Sequence, residues 1–224
     1  MPQETLRVAT FNIHHAEGMD GRVDLDRIAD VIRSIDPDII AMQELDERVP
    51  RSRLVDQPAE LARKLGMHVH FGPAMDLEVG RYGIALASPR GFRAATIALP
   101  RSGNEEPRAV VIAKWDEMQI VTTHLSRDRS TRLRQTRHLA SMVQQMEGPV
   151  ILLGDMNQRV ADLVPLISVG LRPVTLRHGL LDRFRRGRQI DHILVSEGIT
   201  IARSFRVRTE ASDHDPLVAE IVVV

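Results

Sequence analysis

The chain contains no cysteine among its 224 residues. This absence excludes disulfide bonds, thiolate nucleophiles and zinc or iron–sulfur sites with cysteine ligands. Aromatic residues are also scarce, at 3% of the chain, which argues against an extended platform on which the bases of single-stranded nucleic acid could stack. Any chemistry of the protein must therefore come mainly from carboxylate, imidazole, amide and guanidinium groups.

The chain also lacks a net charge, because 30 basic residues balance 30 acidic residues. A nucleic-acid-binding protein with an overall positive charge is therefore not indicated. The basic residues are almost all arginine, and they are clustered at 127–137 and 183–188. No apolar run is long enough to cross a bilayer, and the first residues do not resemble a secretory signal. We expect a cytoplasmic protein with no membrane insertion and no obligate protein partner.

The pattern of apolar residues predicts one α/β domain over residues 1–224, in which strands and helices alternate and further strands follow. Helices are predicted at 24–34, 58–65, 130–146 and about 160–168. In the third helix, Leu133, Leu139, Val143 and Met146 are predicted to face inward. Strands are predicted at 6–13, 38–44, 67–71, 81–88, 92–98, 108–115, 118–125, 150–154, 189–196, 199–208 and 216–224. Several closely spaced strands indicate antiparallel hairpins, so we expect two mixed sheets packed face to face with helices outside.

Residues whose side chains can bind a metal ion or a phosphate, or transfer a proton, occur repeatedly where a predicted strand begins or ends. A single residue of this kind is usually a turn former, a helix cap or a structural histidine. The repetition is more informative, because rigid strands can direct several side chains into one crevice. The residues concerned are Asn12, Glu44, His124, Asp155, Asn157, Asp191, Asp213 and His214.

Six short segments around these residues, taken in order, resemble the motifs of the endonuclease/exonuclease/phosphatase superfamily. They are Thr-Phe-Asn-Ile (10–13), Gln-Glu (43–44), Thr-His-Leu (123–125), Gly-Asp-Met-Asn (154–157), Ile-Asp-His-Ile (190–193) and Ser-Asp-His-Asp-Pro (212–216). The resemblance covers nearly the whole chain. It implies a four-layer α/β/β/α sandwich and a divalent-metal-dependent hydrolase that cleaves a P–O bond.

The roles of these residues follow from the chemistry of the reaction, and the resemblance supports them. Attack on a phosphoester builds negative charge on oxygen, which a hard cation such as Mg²⁺ or Mn²⁺ stabilises. Oxygen ligands suit such an ion, so we expect Glu44 and Asn12 to bind it, with Asp213 contributing directly or through water. His14 and His15 follow Asn12; one is expected to face the cleft, and neither is needed as a ligand.

The remaining residues are assigned to proton transfer and to the substrate. Asp155 is expected to align water or accept its proton, and Asn157 to hold water or a phosphate oxygen. His214 is expected to pair with Asp191, which would raise the pKa of its imidazole. His124 is expected to donate to phosphate or to assist the leaving oxygen.

Three arginines are expected to contact the substrate phosphate, namely Arg108, Arg186 and Arg188. For Arg108 the alternative is a surface arginine paired with Glu105 or Glu106.

Three functions compete for this set of residues. Clustered arginines favour a nuclease, which the sequence places slightly ahead. The alternative is a phosphodiesterase or phosphatase that acts on lipid head groups, inositol phosphates or small phosphoesters. The third is a binding module that has lost catalysis, and the complete set of candidate residues argues against it.

Overall fold

The structure is a computed structural model that describes residues 5–174 and 189–223. Strands and helices alternate in this part of the chain, as the sequence predicts. The helices are α1 (Leu25–Ile35), α2 (Gln57–Leu65), α3 (Arg129–Gln144) and the single turn α4 (Val164–Ile167). The strands are β1 (Thr5–Asn12), β2 (Ile39–Glu47), β3 (His68–Asp76), β4 (Arg81–Ser88), β5 (Arg93–Ala98), β6 (Ala109–Trp115), β7 (Met118–His124), β8 (Val150–Asp155), β9 (Arg172–Pro173), β10 (Asp191–Val195), β11 (Ile199–Arg206) and β12 (Leu217–Val223).

The strands form two sheets of six with related topology. The first has the order β11-β12-β1-β2-β4-β3 and the second the order β5-β6-β7-β8-β10-β9. In each sheet the two central strands are parallel, β1 with β2 and β7 with β8, while the other neighbours are antiparallel. The predicted pair of mixed sheets is confirmed.

The period of two in the strands divides their side chains between two faces. Leu6 and Val8 of β1 pack between the sheets against Ile151 and Leu153 of β8. The intervening residues face outward. A second cluster packs the first sheet on α1 and α2, and a third packs the second sheet on α3 and α4. The result is the expected four-layer sandwich, helices–sheet–sheet–helices.

Local signals in the sequence set the ends of the helices. Asp24 accepts a hydrogen bond from the amide of Asp26 and so caps the start of α1. Gly66 ends α2 with a φ of 64°, a left-handed conformation that glycine adopts without steric cost. No helix in the described ranges is both long and apolar enough to span a bilayer.

The prediction for the inward face of α3 was wrong at Leu133, which is 40% exposed. Leu139 and Val143 are buried as expected. The start of the buried face is polar instead, because Gln135 donates to the carbonyl of Pro100 at 2.9 Å and accepts from the amide of Ser126 at 2.9 Å. Buried polar side chains with satisfied hydrogen bonds give no hydrophobic signal in a sequence.

Two further differences concern short elements. The predicted helix at 160–168 is a 3-10 turn followed by the single turn α4. The two-residue strand β9 was not predicted, because two residues carry no measurable period.

Candidate active site

The register of the strands brings the candidate residues to one edge of the sandwich. In the first sheet, Asn12 at the end of β1 lies opposite Gln43 of the parallel strand β2. In the second sheet, Asp155 at the end of β8 lies between His124 of β7 and Asp191 of β10. Since these strand ends meet where the sheets face each other, both sheets contribute to one cleft.

Polar residues replace apolar ones as the strands approach this edge. Leu6 and Val8 of β1 are followed on the same face by Thr10 and Asn12, all of them buried. Thr10 donates to Gln43 Oε1 at 3.2 Å, and Gln43 Nε2 donates across the interface to Thr122 Oγ1 at 3.4 Å. This buried chain of hydrogen bonds joins the two sheets directly beneath the cleft.

A bulge in β2 directs Glu44 into the cleft. The pairing of β2 with β4 shifts between Gln43 and Leu45, and Glu44 adopts a left-handed φ of 62°. A regular strand would turn Glu44 towards the helices, since Gln43 already faces the other sheet. With the bulge, Glu44 Oε1 accepts a hydrogen bond from Asn12 Nδ2 at 2.8 Å.

Asn12 and Asp155 connect the two sheets at the cleft. Asn12 Nδ2 also donates to Asp155 Oδ2, at 3.2 Å. The carbonyl oxygen of Asn12 accepts from Ser212 Oγ at 2.8 Å, which fixes the loop that carries Asp213 and His214. Three separate segments therefore hold their side chains around Asn12.

Asp155 is placed by a glycine that precedes it and a strained asparagine that follows. Gly154 has a φ of 149°, and a Cβ there would lie 2.0 Å from the carbonyl oxygen of Thr123. Asn157 has a φ of 49°; its amide donates to Asp155 Oδ1 at 2.8 Å and its side chain to the carbonyl of Leu125. Only a residue without a side chain allows β7 and β8 to approach this closely.

His214 pairs with Asp191 as expected. Its Nδ1 lies 2.9 Å from Asp191 Oδ2, and its Nε2 lies 3.9 Å from Asp155 Oδ2. Burial alone would lower the pKa of His214, but the hydrogen bond and charge of Asp191 raise this pKa to about 9. A pKa in this range keeps the imidazole of His214 protonated at neutral pH.

Asp155 has an unusual environment for a carboxyl group. Its burial, and next the negative charge of Asp191, raise the pKa of Asp155 well above its ordinary range. Carboxyl groups with a raised pKa can accept a proton near neutral pH, which is the property required of a general base.

His124 is held as a neutral donor. A guanidinium can only donate, so Arg108 Nη1, 3.0 Å from His124 Nδ1, requires that this nitrogen be the acceptor. The proton of the ring then sits on Nε2, which lies 3.5 Å from Asp155 Oδ2. Burial, and next the charge of Arg108, lower the pKa of His124 well below its ordinary value. Because it is neutral, His124 can donate one hydrogen bond from Nε2.

Arg108 itself is buried, with 5% of its surface exposed, and its Nη2 lies 3.0 Å from Glu106 Oε2. The pairing with Glu106 that the alternative interpretation of Arg108 predicted is present, although Arg108 is not a surface residue. Arg186 and Arg188 lie outside the described residues. The assignment of these three arginines to substrate binding remains a prediction.

The cleft extends from Glu44 between loops of the two sheets, with a volume of about 350 Å³. The sequence did not identify Arg51, Met75 and Leu77 as part of it. Arg51 pairs with the fully buried Asp46 at 2.8 Å and stacks on Tyr82, with 5.4 Å from the guanidinium carbon to the ring centre. The cleft is lined by His14, His15, Glu44, Arg51, Met75, Leu77, Tyr82, Glu106, Arg108, Arg127 and Asp213.

The donor atoms at the cleft suit a divalent cation. Glu44 uses only one carboxylate oxygen for the hydrogen bond to Asn12, so Oε2 has no hydrogen-bond partner among the described residues. Asp213 is half exposed, and its Oδ1 lies 4.0 Å from His14 Nδ1. Two groups of side chains each offer three ligand atoms within 4.8 Å of one another: His14, His15 and Glu44, and Asp155, Asp191 and His214.

Solved structures share this fold. An endonuclease/exonuclease/phosphatase from Beutenbergia cavernae DSM 12333 superposes with a TM-score of 0.83 and 23% identity, over 99% of this chain and 72% of that chain. A mannosyl-6-phosphatase from Bacteroides thetaiotaomicron VPI-5482 superposes with a TM-score of 0.73 and 19% identity, over 97% of this chain and 99% of that chain. TDP2 from D. rerio, complexed with single-strand DNA product, superposes with a TM-score of 0.71 and 15% identity, over 97% of this chain and 99% of that chain.

The amino-acid sequence itself has no significant match among curated proteins. It does match a family description, the Endonuclease/Exonuclease/phosphatase family, over residues 9–214, a range that includes every described candidate residue of the cleft. The chain therefore belongs to the Endonuclease/Exonuclease/phosphatase family.

Proposed function

We propose that the protein is a divalent-metal-dependent phosphoester hydrolase and that residues 1–224 form its single catalytic domain. One observation carries the proposal: Asn12, Glu44, Asp155 and His214 converge from separate segments at one edge of the sandwich and contact one another through Asn12 and Asp155, beside the cleft that Glu44 lines. Membership of a family of phosphoester hydrolases supports the same conclusion.

In this proposal Glu44 and Asn12 hold the cation, with Asp213 at the exposed side. The bound ion supplies positive charge that stabilises the non-bridging oxygens of the phosphoryl group as the bond to the nucleophile forms. The residues of the chain then orient the phosphoester and move the protons. Mg²⁺ and Mn²⁺ are the ions that we expect.

Asp155 is the proposed acceptor of the proton from the attacking water. Its raised pKa suits this role, and the amide of Asn157 fixes one of its oxygens at 2.8 Å. The side-chain oxygen of Asn157 is proposed to orient the same water, because the side-chain nitrogen already donates to the carbonyl of Leu125. Because Asp155 ends the rigid strand β8 and Asn157 follows it closely, the water is held in a constant position relative to the phosphorus.

The two histidines are proposed to bind the phosphoryl oxygens in different charge states. His214 offers a positively charged donor, since Asp191 keeps its imidazole protonated. His124 offers a neutral donor, since Arg108 occupies its other nitrogen. Preformed donors that point at the developing charge stabilise the transition state without further rearrangement.

The cleft favours a small organic phosphoester as the substrate. Its volume of about 350 Å³ lies at the lower end of the range for small-molecule sites. Met75, Leu77 and Tyr82 supply an apolar side, and Arg51 and Arg127 supply positive charge. Such a combination suits a substrate in which a compact apolar or ring-shaped group carries the phosphate.

Nucleic acid is the second candidate substrate, and the sequence alone places it first. Arg127 is exposed and lines the cleft, where it could contact a phosphate backbone. Two nearby arginines are less available to a nucleic acid because they already make hydrogen bonds within the protein. Arg132 donates to the carbonyls of Ser126 and Arg127, and Arg134 donates to the hydroxyls of Ser102 and Thr131. The relatives named a phosphatase and a DNA-product complex have this same fold, so the fold does not select between the two candidates.

The test is a panel of substrates measured with Mg²⁺, with Mn²⁺ and with chelator. It contains plasmid DNA, bis-p-nitrophenyl phosphate as a generic diester, and p-nitrophenyl phosphate as a monoester. We expect metal-dependent hydrolysis of the small esters, with a KM that changes little with salt. Hydrolysis of plasmid alone, with affinity that falls steeply as salt increases, would favour the nuclease. No hydrolysis of any phosphoester with either metal would refute the proposed function.

A further inference from the structure

Two adjacent histidines lie beside the proposed metal ligand Glu44 and have no role in the mechanism above. One ligand atom from each of His14, His15 and Glu44 lies within 4.8 Å of the other two. The imidazole rings meet edge to face, with 4.5 Å between their centres. The question is which nitrogen of each ring is able to bind a ligand.

The hydrogen bonds of His15 leave one nitrogen free. Its Nε2 lies 3.1 Å from Glu17 Oε2, and a carboxylate can only accept, so Nε2 carries the proton. Nδ1 is then a bare acceptor, and it is buried with no hydrogen-bond partner. His15 as a whole is only 7% exposed, and buried polar atoms without a partner are rare in folded proteins.

In His14 the proton lies on Nδ1, whereas in His15 it lies on Nε2. Its Nδ1 lies 3.3 Å from the carbonyl oxygen of Glu17 and 4.0 Å from Asp213 Oδ1. Both of these atoms are acceptors, so Nδ1 carries the proton and Nε2 has the lone pair. Each imidazole thus has one nitrogen fixed as a donor by Glu17 or Asp213 and the other available as a ligand, the arrangement usual for metal-binding histidines.

The backbone that carries the histidines is held in an unfavourable conformation. His14, His15 and Ala16 have φ angles of 47°, 42° and 66°. The buried side chain of Gln57 donates to the carbonyl of His15 at 2.7 Å, and the amide of Asp24 donates to the carbonyl of Ala16 at 2.9 Å. Backbone strain that the surrounding structure maintains is common at functional sites.

We propose that His14, His15 and Glu44 form a second cation site, which takes a transition metal such as Zn²⁺ or Mn²⁺. Imidazole nitrogen suits these ions better than it suits Mg²⁺. Two imidazoles and one carboxylate, with further positions open, form a ligand set that Zn²⁺ adopts in catalytic sites. The site extends the proposed function, because Glu44 would bridge two ions, yet its nitrogen ligands are separate from the oxygen ligands assigned above.

The experiment is calorimetric titration of the metal-stripped full chain with Zn²⁺, with Mn²⁺ and with Mg²⁺. The variants are His14→Ala and His15→Gln, and His138→Ala removes an exposed histidine as the matched control. We expect both site variants to bind Zn²⁺ about 10-fold to 100-fold more weakly than the wild type, as changes around metal-binding histidines do. The control should bind Zn²⁺ normally, and Mg²⁺ affinity should be unchanged in all proteins.

Equal Zn²⁺ affinity in the wild type, His14→Ala and His15→Gln would overturn the proposal. His14 has 34% of its side chain exposed, so His14→Ala decides the matter if circular dichroism shows that the change at buried His15 unfolds the chain. A third variant, Glu17→Ala, removes the carboxylate that fixes the proton on His15 Nε2. It should therefore also weaken Zn²⁺ binding. Phosphoester hydrolysis with Mg²⁺ and with Mn²⁺ is measured separately, so its absence with both ions alongside intact Zn²⁺ binding would refute only the proposed function.

Discussion

The two sheets contribute to the cleft by different structural means. In the first sheet, the side chains depend on irregular backbone: Glu44 sits in a bulge, and His14, His15 and Ala16 have left-handed φ angles. In the second sheet, Asp155, His124 and Asp191 lie opposite one another in regular strand pairing. The first sheet gathers the proposed metal ligands. The second sheet gathers the proposed base Asp155, the proposed phosphoryl donor His124, and Asp191, which pairs with His214.

This difference follows from what each kind of chemistry requires. A metal site needs several donors to converge on one point, and strand alternation alone separates neighbouring residues onto opposite faces. A bulge or a left-handed turn overcomes that separation. Proton transfer needs pairs of groups at fixed separation and low solvent exposure, and neighbouring strands supply both. The predictions below test whether the contributions of the two sheets can be disturbed independently.

The largest effect is expected in the second sheet, for Asp155→Asn. The amide has the shape of the carboxylate but cannot accept the proton, so turnover should fall by about 10³-fold with the fold retained. Steady-state kinetics and circular dichroism measure the two properties. Asp162→Asn, at an exposed position, is the control and should be fully active. A rate close to wild type in Asp155→Asn would exclude this residue as the base.

The next effect is expected in the first sheet, for Glu44→Gln. Loss of the carboxylate should raise the Mg²⁺ concentration required for half-maximal activity by about 10²-fold, since even indirect changes at metal sites cost 10-fold to 100-fold. Activity is measured as a function of Mg²⁺ concentration. Glu147→Gln, at an exposed position, should leave that concentration unchanged. An unaltered Mg²⁺ response in Glu44→Gln would mean that the carboxylate does not bind the ion.

The pairing of His214 with Asp191 predicts a specific titration in the metal-stripped protein. The pKa of the His214 imidazole should lie near 9, and Asp191→Asn should lower it. Because this pKa is raised on folding, the pair stabilises the fold fully below the ordinary value of 6.5, and the stabilisation is lost as the pH rises through 9. Histidine resonances followed by NMR test this, and an unshifted pKa in Asp191→Asn would contradict it.

The smallest effect is expected on stability, for Gly154→Ala. The added Cβ would meet the carbonyl oxygen of Thr123 at 2.0 Å, so β7 and β8 must separate. We expect a loss of about 1–3 kcal/mol in the free energy of unfolding by urea. Gly91→Ala is the matched control, because its nearest neighbouring atoms lie 4.0 Å from the added Cβ. Equal stability of the two variants would show that the strands adapt easily.

The sequence indicated many of the side chains that lie together at the candidate site. Asn12, Glu44, Asp155 and His214 stand beside short apolar segments that the sequence identifies as strands, and in the structure those strands meet at one edge. The pairing of His214 with Asp191 was also predicted correctly. A carboxylate beside an imidazole raises the pKa of that imidazole, as was expected for His214.

Other contacts could not be predicted, because they depend on the meeting of distant segments. Nothing local to Arg108 indicates that it fixes the proton of His124. Arg51 lies in a short 3-10 turn, and its position on Tyr82 follows from pairing with the buried Asp46. Leu133 was predicted to be buried because the sequence does not reveal that Gln135 occupies the inner face of α3.

The sequence by itself indicated most of the strands and helices, apart from β9 and the single turn α4, since periodicity, caps and glycines act over a few neighbouring positions. Only the tertiary structure decided how these elements combine. The bulge at Glu44, the tautomer of His124 and the cleft between the sheets arise from contacts between residues far apart in the chain. Such contacts set the orientation and charge of a side chain, which its identity alone leaves open.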